Sequence, residues 1–458
     1  MKGEAFRQAA QPKEDMVKAS AQRKTVIVGA AAGLVLLTGL GSGEALADQT
    51  PLKVDSGDTA WVLVSSAFVL AMLMPGLALF YGGLVRTKNV LGTIMQSLMI
   101  LSVVSLLWIL FGYSLAFGPD KGGVIGGLEW IGLSGVGSQP HPSYAPTIPH
   151  QAFMLFQLMF AAIAPALITG AFAERKRFTS AVLFGALWSV LVYVPLAHWI
   201  WGGGWLAQMG ALDFAGGAVI HISSGAAALV CAIVLGKRRG YGTDYMAPHN
   251  LPMTLLGAGF LWFGWFGFNG GSALGANGIA VSAILATHAA AAMGAISWCG
   301  AEWMHRGKPT VLGVASGAVA GLATVTPAAG YIGPLSAIGI GLVAGMSCYA
   351  AIVWKGRFGY DDSLDVVGIH GVGGVIGVLA TGLCASKVVN PGGADGFLFG
   401  NPGFFGVQVL VVIVTTVFSL VATFAILKLV DALTGLRVSS EEEATGLDLS
   451  QHNERAYS

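Results

Sequence analysis

Long apolar segments separated by short polar loops repeat along the chain. Each is about as long as the roughly 20 helical residues that cross a bilayer core. The segments lie near residues 61–85, 90–117, 151–173, 180–201, 216–236, 253–269, 279–303, 311–328, 334–354, 366–386 and 404–433. Lipid offers no hydrogen-bond partners to an open backbone, and no alternating pattern typical of a barrel occurs. The pattern predicts an all-α polytopic membrane protein with eleven transmembrane helices.

Composition supports a membrane location and narrows the range of partners. Hydrophobic residues make up 55% of the 458 positions and charged residues only 10%, which favours a lipid bilayer over a water-soluble core. The net charge is +1 and no long basic tract occurs, so no nucleic-acid partner is expected. Four cysteines lie in apolar stretches without CxxC spacing. We therefore expect no disulfide framework, no metal site and no cofactor.

The first residues have the pattern of a targeting sequence. Basic residues precede an apolar run at 25–40, and small residues suited to cleavage follow at 45–47. The pattern predicts a cleaved signal peptide over 1–47. A retained first transmembrane helix is the alternative, and translation could begin at Met16 instead of Met1.

Basic residues are concentrated in alternate loops. The opposite set of inter-span loops contains only Lys121 and Lys387. Because cytoplasmic loops are enriched in lysine and arginine, the basic loops should be cytoplasmic. The mature N-terminus is then outside the cell membrane, a transmembrane domain extends over 48–436, and the tail at 437–458 is cytoplasmic. The basic loops carry Arg86, Lys88, Arg175, Lys176, Arg177, Lys237, Arg238, Arg239, Arg306, Lys308, Lys355 and Arg357.

Two aspartate–histidine segments suggest internal symmetry. Asp213 precedes His221 at the start of the fifth span, and Asp365 precedes His370 at the start of the tenth. Five spans per unit would invert the second unit in the membrane. We therefore predict two inverted five-helix repeats plus a C-terminal helix, with a binding site between the halves near mid-depth.

An ionisable side chain inside a span is costly and indicates function. His221 and His370 are such side chains. A neutral imidazole has one donor and one acceptor, so two rings can share an N–H···N bond and still contact a polar solute. Two unrelated histidines, each bonded to a carbonyl, and a bis-histidine haem site are alternatives.

Several further motifs carry a specific resemblance. The chain resembles the ammonium transporter family from about residue 57 to its C-terminal tail, and the aromatic residues are typical of the bacterial branch. The matching motifs are ALFYGGL at 78–84, GAFAER at 170–175, GALDFAGG at 210–217, PHNLP at 248–252 and GWFGFN at 264–269.

The resemblance implies an outer ammonium recruitment site. Trp201, Phe160 and Ser272 match the residues that bind the cation through aromatic faces and a hydroxyl, with Phe156 nearby. Asp213 matches an aspartate close to that site, with a structural and electrostatic role.

Below the recruitment site, the resemblance implies a gate and a pore. Phe160 and Phe268 match a pair of stacked phenyl rings, and His221 and His370 match twin histidines that line the pore. Asp365 is expected to be the second-half counterpart of Asp213.

The resemblance also implies how the protein is assembled and regulated. It implies a homotrimer with one pore in each subunit and a possible PII-type regulatory partner on the cytoplasmic face. An ammonium sensor with little flux and a Rhesus-type gas channel are the alternatives. His288 in the seventh span has no family counterpart and is expected to be buried and hydrogen-bonded.

Energetics favour transport of neutral ammonia. Moving a compact cation into a dry constriction costs of order 20 kcal/mol in the idealised limit. A cation–π contact returns only about 0.5–2 kcal/mol. We therefore expect ammonium to lose its proton near the gate, ammonia to pass the histidines, and the proton to cross separately through the imidazole pair. The protein is then an electrogenic transporter rather than an enzyme.

Overall fold

The computed structural model describes residues 52–457, so the predicted signal peptide at 1–47 lies outside the described residues. Within this part, ten helices are long and apolar enough to cross a membrane, and one further apolar helix is shorter. The helices are α1 (Ser56–Leu84), α2 (Thr87–Phe117), α3 (His150–Phe172), α4 (Phe178–Gln208), α5 (Gly217–Leu235), α6 (Leu251–Gly271), α7 (Gly278–Arg306), α8 (Val311–Val325), α9 (Pro334–Phe358), α10 (Val367–Cys384) and α11 (Pro402–Thr434). The prediction of an eleven-helix membrane protein is confirmed.

Local sequence signals set many helix ends. The Asn277 side chain accepts hydrogen bonds from the first backbone N–H groups of α7, and Thr310 does the same for α8. Proline occupies an early position in α6, α9 and α11, where no intrahelical donor is lost. These caps satisfy backbone groups that lipid cannot satisfy.

The eighth helix ends earlier than the hydropathy pattern predicts. It stops at Val325, although the apolar run continues to Ala328. Pro327 has no N–H group to continue the helical hydrogen bonds. Its carbonyl oxygen accepts a hydrogen bond from the N–H of Phe214. The extra apolar residues form a buried turn rather than a longer span.

Small residues bring helices α7, α8 and α9 into close contact. A Cβ atom added at Gly321 would lie 2.2 Å from the Ala290 carbonyl oxygen, and one added at Gly345 would lie 2.0 Å from the Ser297 hydroxyl. Neither position has room for a side chain. This close packing replaces the hydrophobic driving force that is missing between helices in lipid.

Helices α5 and α10 are matching elements of the two halves. Each begins with a π-helical segment that contains one histidine, Gly217–Ile222 in α5 and Val367–Val372 in α10. The two helices touch where Gly225 faces Gly371, since an added Cβ on Gly225 would lie 2.3 Å from the Gly371 Cα. This crossing brings the two histidine segments together at the centre of the bundle.

The two ends of the bundle differ. One end, here called the mouth end, carries Trp201 and a small antiparallel hairpin of β1 (Asp120–Lys121) and β2 (Ile125–Gly126). The other, the tail end, carries α12 (Ser440–Thr445) and α13 (Leu447–His452). The Gly92 N–H donates to Asp448 Oδ1 at 2.8 Å, and the Leu447 N–H donates to Asn89 Oδ1 at 2.9 Å. The C-terminal tail is therefore attached to the start of α2.

Candidate functional site

A wide cavity opens at the mouth end. It has a volume of about 590 Å³, and its lining includes Trp201, Phe160, Ser272 and Asp213. These four residues come from α3, α4, the end of α6 and the segment before α5. The structure thus brings together all four residues assigned to ammonium recruitment.

Backbone contacts fix the orientation of the two polar groups in this mouth cavity. The Trp201 indole Nε1 donates to the Asp213 carbonyl oxygen at 2.7 Å. The Ser272 hydroxyl donates to the Phe268 carbonyl oxygen at 2.8 Å, so its own oxygen remains an acceptor. The ring of Trp201 meets that of Phe160 edge to face, with centroids 6.1 Å apart. The site combines aromatic surface with a hydrogen-bond acceptor, as a small cation requires.

The Asp213 carboxylate stabilises backbone rather than reaching into the cavity. Its two oxygens accept the N–H groups of four consecutive residues, 216–219, at 2.6 to 3.1 Å. The carboxylate is buried and caps the π-helical start of α5. It therefore fixes the segment that carries His221 and adds negative charge beneath the cavity.

Two phenyl rings close the floor of the mouth cavity. Phe160 and Phe268 stack with centroids 4.3 Å apart and planes inclined by 24°. Both are buried, and Phe156 packs against Phe160 at 4.8 Å. Rings in stacking contact leave no space for a hydrated ion, so a solute must move them to pass.

The two histidines lie in direct contact below the gate. Nδ1 of His370 is 3.1 Å from Nδ1 of His221, and the ring centroids are 5.1 Å apart. The His221 ring also packs near-parallel to the rings of Trp265 and Phe268, with centroids 5.7 and 6.3 Å away. The direct N···N contact leaves no place for a haem iron between the rings, so the geometry disagrees with the haem alternative.

The shared hydrogen bond determines what each ring offers to a solute. In the neutral pair, one Nδ1–H donates to the other Nδ1. The donor ring then has a bare Nε2 acceptor, and the acceptor ring has an Nε2–H donor. Nε2 of His221 is buried without a protein partner in the described residues. When a proton binds the bare Nε2 of the donor ring, its Nδ1 proton can cross to the other ring, which then releases its own Nε2 proton, and the two roles are exchanged.

The path continues towards the tail end through an apolar constriction. Its free space is about 10 Å³, roughly that of one water-sized molecule. Such a channel suits a small neutral molecule, because a cation would find few polar groups there. The lining comprises Met72, Leu77, Phe80, Tyr81, Leu167, Leu261, Trp265, Val319, Leu364, Val366, Ile369 and His370.

The second-half counterpart of Asp213 is Asp362, so the assignment of Asp365 is wrong. Asp362 is fully buried and accepts the Val367 N–H at the start of α10 at 2.8 Å. Asp365 instead pairs with Lys355. Asp362 precedes His370 by eight residues, as Asp213 precedes His221. The equal spacing was present in the sequence and could have identified the correct residue.

His288 is not buried, which contradicts the expectation for this residue. Its side chain is exposed on the surface of the chain, against Trp262 at 5.4 Å and Phe266 at 6.0 Å. No hydrogen bond to it occurs among the described residues. The ring points away from the path because α7 turns its small residues, including Ala286 and Ala290, towards the interior.

Two residues of the path were not identified from the sequence. Trp265 stacks on His221 and donates its indole N–H to the Thr326 hydroxyl at 2.9 Å. Tyr81 lines the constriction and donates to the Leu167 carbonyl oxygen at 2.9 Å. Both lie in motifs that carried the family resemblance, but an aromatic residue in a span is more often a packing residue.

A cluster of buried ions joins the loops at the tail end. Glu174 pairs with Arg86 at 2.7 Å and with Arg238 at 3.3 Å, and Arg238 also contacts Asp361 at 2.9 Å. Burial by itself raises the pKa of each carboxyl, but the neighbouring arginines outweigh it and lower both pKa values overall. Asp362, close by, has its pKa raised to about 6 by burial.

Comparison with known proteins places these features in a family. The family model described as the Ammonium Transporter Family matches residues 60–457. A protein of Bacillus subtilis named ammonium transporter is 52% identical over 402 residues, covering 88% of this chain and 98% of that protein. Ammonium transporter Amt1 of Archaeoglobus fulgidus is 49% identical, covering 88% of this chain and all of that protein.

Solved structures agree with the sequence comparison. The crystal structure of Candida albicans Mep2 matches with a TM-score of 0.80 and 36% identity, over 85% of this chain and 88% of that one. A structure titled Sensor Amt Protein matches with a TM-score of 0.78 and 30% identity, over 86% of this chain and 98% of that one. The family model matches most of the chain, and the two relatives named above are 52% and 49% identical to it. This chain therefore belongs to the ammonium transporter family.

Proposed function

We propose that the protein recruits ammonium at the mouth cavity, removes its proton at the phenyl gate and conducts ammonia past His221 and His370. The observation that carries the proposal is the order of the parts along one path. An aromatic cavity, a closed gate, a histidine pair and an apolar constriction follow one another within a single chain.

The barrier to a bare cation supports deprotonation. Transfer of an ammonium-sized ion from water to a low-dielectric interior costs of order 20 kcal/mol in the idealised limit. The ring contacts at the mouth return about 0.5–2 kcal/mol each. Below the gate, the lining of the constriction is apolar except for His370 and the Tyr81 hydroxyl. Neutral ammonia avoids most of this cost.

The histidine pair supplies a separate route for the proton. The Nδ1···Nδ1 bond of 3.1 Å can relay a proton from one ring to the other without moving either ring far. Net transport then carries one positive charge with each ammonia molecule. Uptake would be driven by the membrane potential.

The distribution of charge supports an orientation in the cell membrane. Arg86, Arg175, Arg238 and the C-terminal tail all lie at the tail end. By the positive-inside rule, we assign the tail end to the cytoplasm and the mouth end to the outside.

The proposed homotrimer has three separate paths, because the parts of the proposed path all come from one chain. A PII-type protein is a candidate partner for the cytoplasmic face.

The experiment that tests transport uses purified protein in liposomes on a solid-supported membrane. Ammonium and methylammonium pulses should evoke currents, and potassium pulses should not. Charge accumulation should limit these currents, and an added proton leak should sustain ammonium uptake. Potassium currents of equal size would contradict the proposal. Uptake without current would favour a gas channel, and neither uptake nor current would favour a sensor.

A further inference from the structure

A second cavity lies beside the mouth cavity and plays no part in the path described above. We call it the side cavity. Its volume is about 490 Å³, and it shares Phe117, Ser143, Tyr144 and Trp201 with the mouth cavity. Trp201, the indole that we assign to ammonium recruitment, therefore lines both cavities.

The lining of the side cavity combines one carboxylate with aromatic rings. Asp120 is the only acidic or basic side chain on it besides His141, and its side chain is 33% exposed. Four aromatic residues complete the wall: Phe117, Trp130, Tyr144 and Trp201. An accessible carboxylate next to aromatic rings is the chemistry that binds small ammonium-type cations.

The carboxylate is held in place by the surrounding fold. Asp120 Oδ1 contacts Nε2 of His198 at 2.9 Å, and both Asp120 oxygens accept the Gly123 N–H. Nδ1 of His198 lies 2.9 Å from the Ala116 carbonyl oxygen. The hairpin that carries Asp120 is thus attached to α4 one turn before Trp201.

An aromatic stack positions the opposite wall. The Tyr144 hydroxyl donates to the Gly202 carbonyl oxygen at 3.1 Å, directly after Trp201. The ring of Tyr144 stacks on His141 and on Phe153, with centroids 5.2 and 5.4 Å apart. These contacts hold the shape of the cavity.

The two cavities differ in the exposure of their carboxylates. In the mouth cavity, the oxygens of Asp213 are buried and occupied by four backbone N–H groups, so a cation there meets aromatic rings and a hydroxyl. In the side cavity, the Asp120 oxygens also contact the Gly123 N–H and His198 Nε2, but the side chain is 33% exposed. A cation in the side cavity can therefore reach a carboxylate oxygen, whereas a cation in the mouth cavity cannot.

We propose that the side cavity is a second binding site for ammonium or a small methylated ammonium ion, adjoining the recruitment site across Trp201. Its role in supplying the pore rests on the proposed transport function, whereas cation binding in the cavity does not. Occupancy would raise the local concentration of cation beside the pore entrance.

The test blocks the side cavity without replacing Asp120. Ala207 lines the side cavity but not the mouth cavity, so Ala207→Lys places a competing ammonium group there. Met209, two residues further on, is 49% exposed and lines neither cavity. Met209→Lys adds the same charge to the same end of the protein and serves as the matched control.

The probe is caesium, a heavy monovalent cation detected by anomalous diffraction from crystals soaked in caesium chloride. We expect a caesium peak in the side cavity of the wild type and of Met209→Lys, and loss of that peak in Ala207→Lys. Density for the mouth-cavity residues shows that the variant is folded. No peak in the wild-type side cavity, or an unchanged peak in Ala207→Lys, overturns the proposal.

Ammonium currents separate this proposal from the transport function. We expect Ala207→Lys to require more ammonium for half-maximal current than Met209→Lys, because the added lysine competes for Asp120. Caesium bound in the side cavity of a protein that carries no ammonium current would contradict the transport function and support the cation site. Ammonium currents without caesium in the side cavity would support the transport function and contradict the cation site.

Discussion

Nδ1 of His221 lies 3.1 Å from Nδ1 of His370, although 149 positions separate the two residues in the sequence. Each histidine sits in a π-helical segment at the start of its own helix, and a buried aspartate eight residues earlier accepts hydrogen bonds from that segment. The contact therefore joins equivalent elements of two halves. A proton shared at this point lies between the gate and the constriction.

Replacement of Trp201 by leucine should weaken ammonium recruitment. The variant removes one cation–π contact, worth about 0.5–2 kcal/mol, which corresponds to a roughly 2- to 30-fold rise in the half-saturating ammonium concentration. The measurement is the concentration dependence of ammonium-evoked current. Trp262→Leu, at a partly buried position beside His288 and outside the mouth cavity, is the control and should leave that value unchanged. Equal values for wild type and Trp201→Leu would remove this residue from the recruitment site.

Replacement of Asp213 by alanine should destabilise the protein more than replacement of Asp362. Removal of Asp213 leaves four buried N–H groups without an acceptor, at about 1–3 kcal/mol for each group that stays unpaired. Asp362 accepts fewer backbone N–H groups, and its Oδ1 has no hydrogen-bond partner within residues 52–457. Melting temperatures of the two variants in detergent test the order. A larger loss for Asp362→Ala would contradict the claim that the number of accepted N–H groups sets the contribution of each aspartate.

The buried ion cluster at the tail end predicts a pH-dependent stability. The pKa values of Glu174 and Asp361 are lowered from 4.5 and 3.8 in the folded protein, so the unfolded chain binds protons more tightly. The stability from these groups is present above about pH 4.5 and is lost as the pH falls through the folded pKa values. Wild type should therefore melt well above the Glu174→Gln, Asp361→Asn double variant at pH 7, and the difference should shrink below about pH 4.

Because Asp362 also titrates in this pH range, the test uses the difference in melting temperature between wild type and the double variant. Burial raises the pKa of Asp362 to about 6, so its contribution to stability decreases as the pH rises from 3.8 to about 6, opposite to the cluster. Because Asp362 is present in both proteins, its effect cancels in the difference between their melting temperatures. A difference that stays constant from pH 7 to pH 3.5 would contradict the assigned ion pairs.

Hydropathy was sufficient for the helices because each span must satisfy its own backbone in lipid. It could not locate the end of α8, where Pro327 turns buried apolar residues back into the interior. It also could not tell which side of a helix faces the path, and His288 was placed inside when it lies on the surface. The gate and the histidine contact involve residues far apart in the chain. The family resemblance suggested the gate residues Phe160 and Phe268, whereas the position of His221 and His370 inside spans had already indicated the histidine pair.

The central claim is that ammonia and the proton cross separately, with the histidine pair carrying the proton. The most direct test records current and internal ammonium together in the same proteoliposomes, for wild type, His221→Ala, His370→Ala and the control His288→Ala. We expect wild type and His288→Ala to move about one charge per ammonium, and the two pore variants to lose at least about 90% of the current. An unchanged current with about one charge per ammonium in both pore variants would contradict the account.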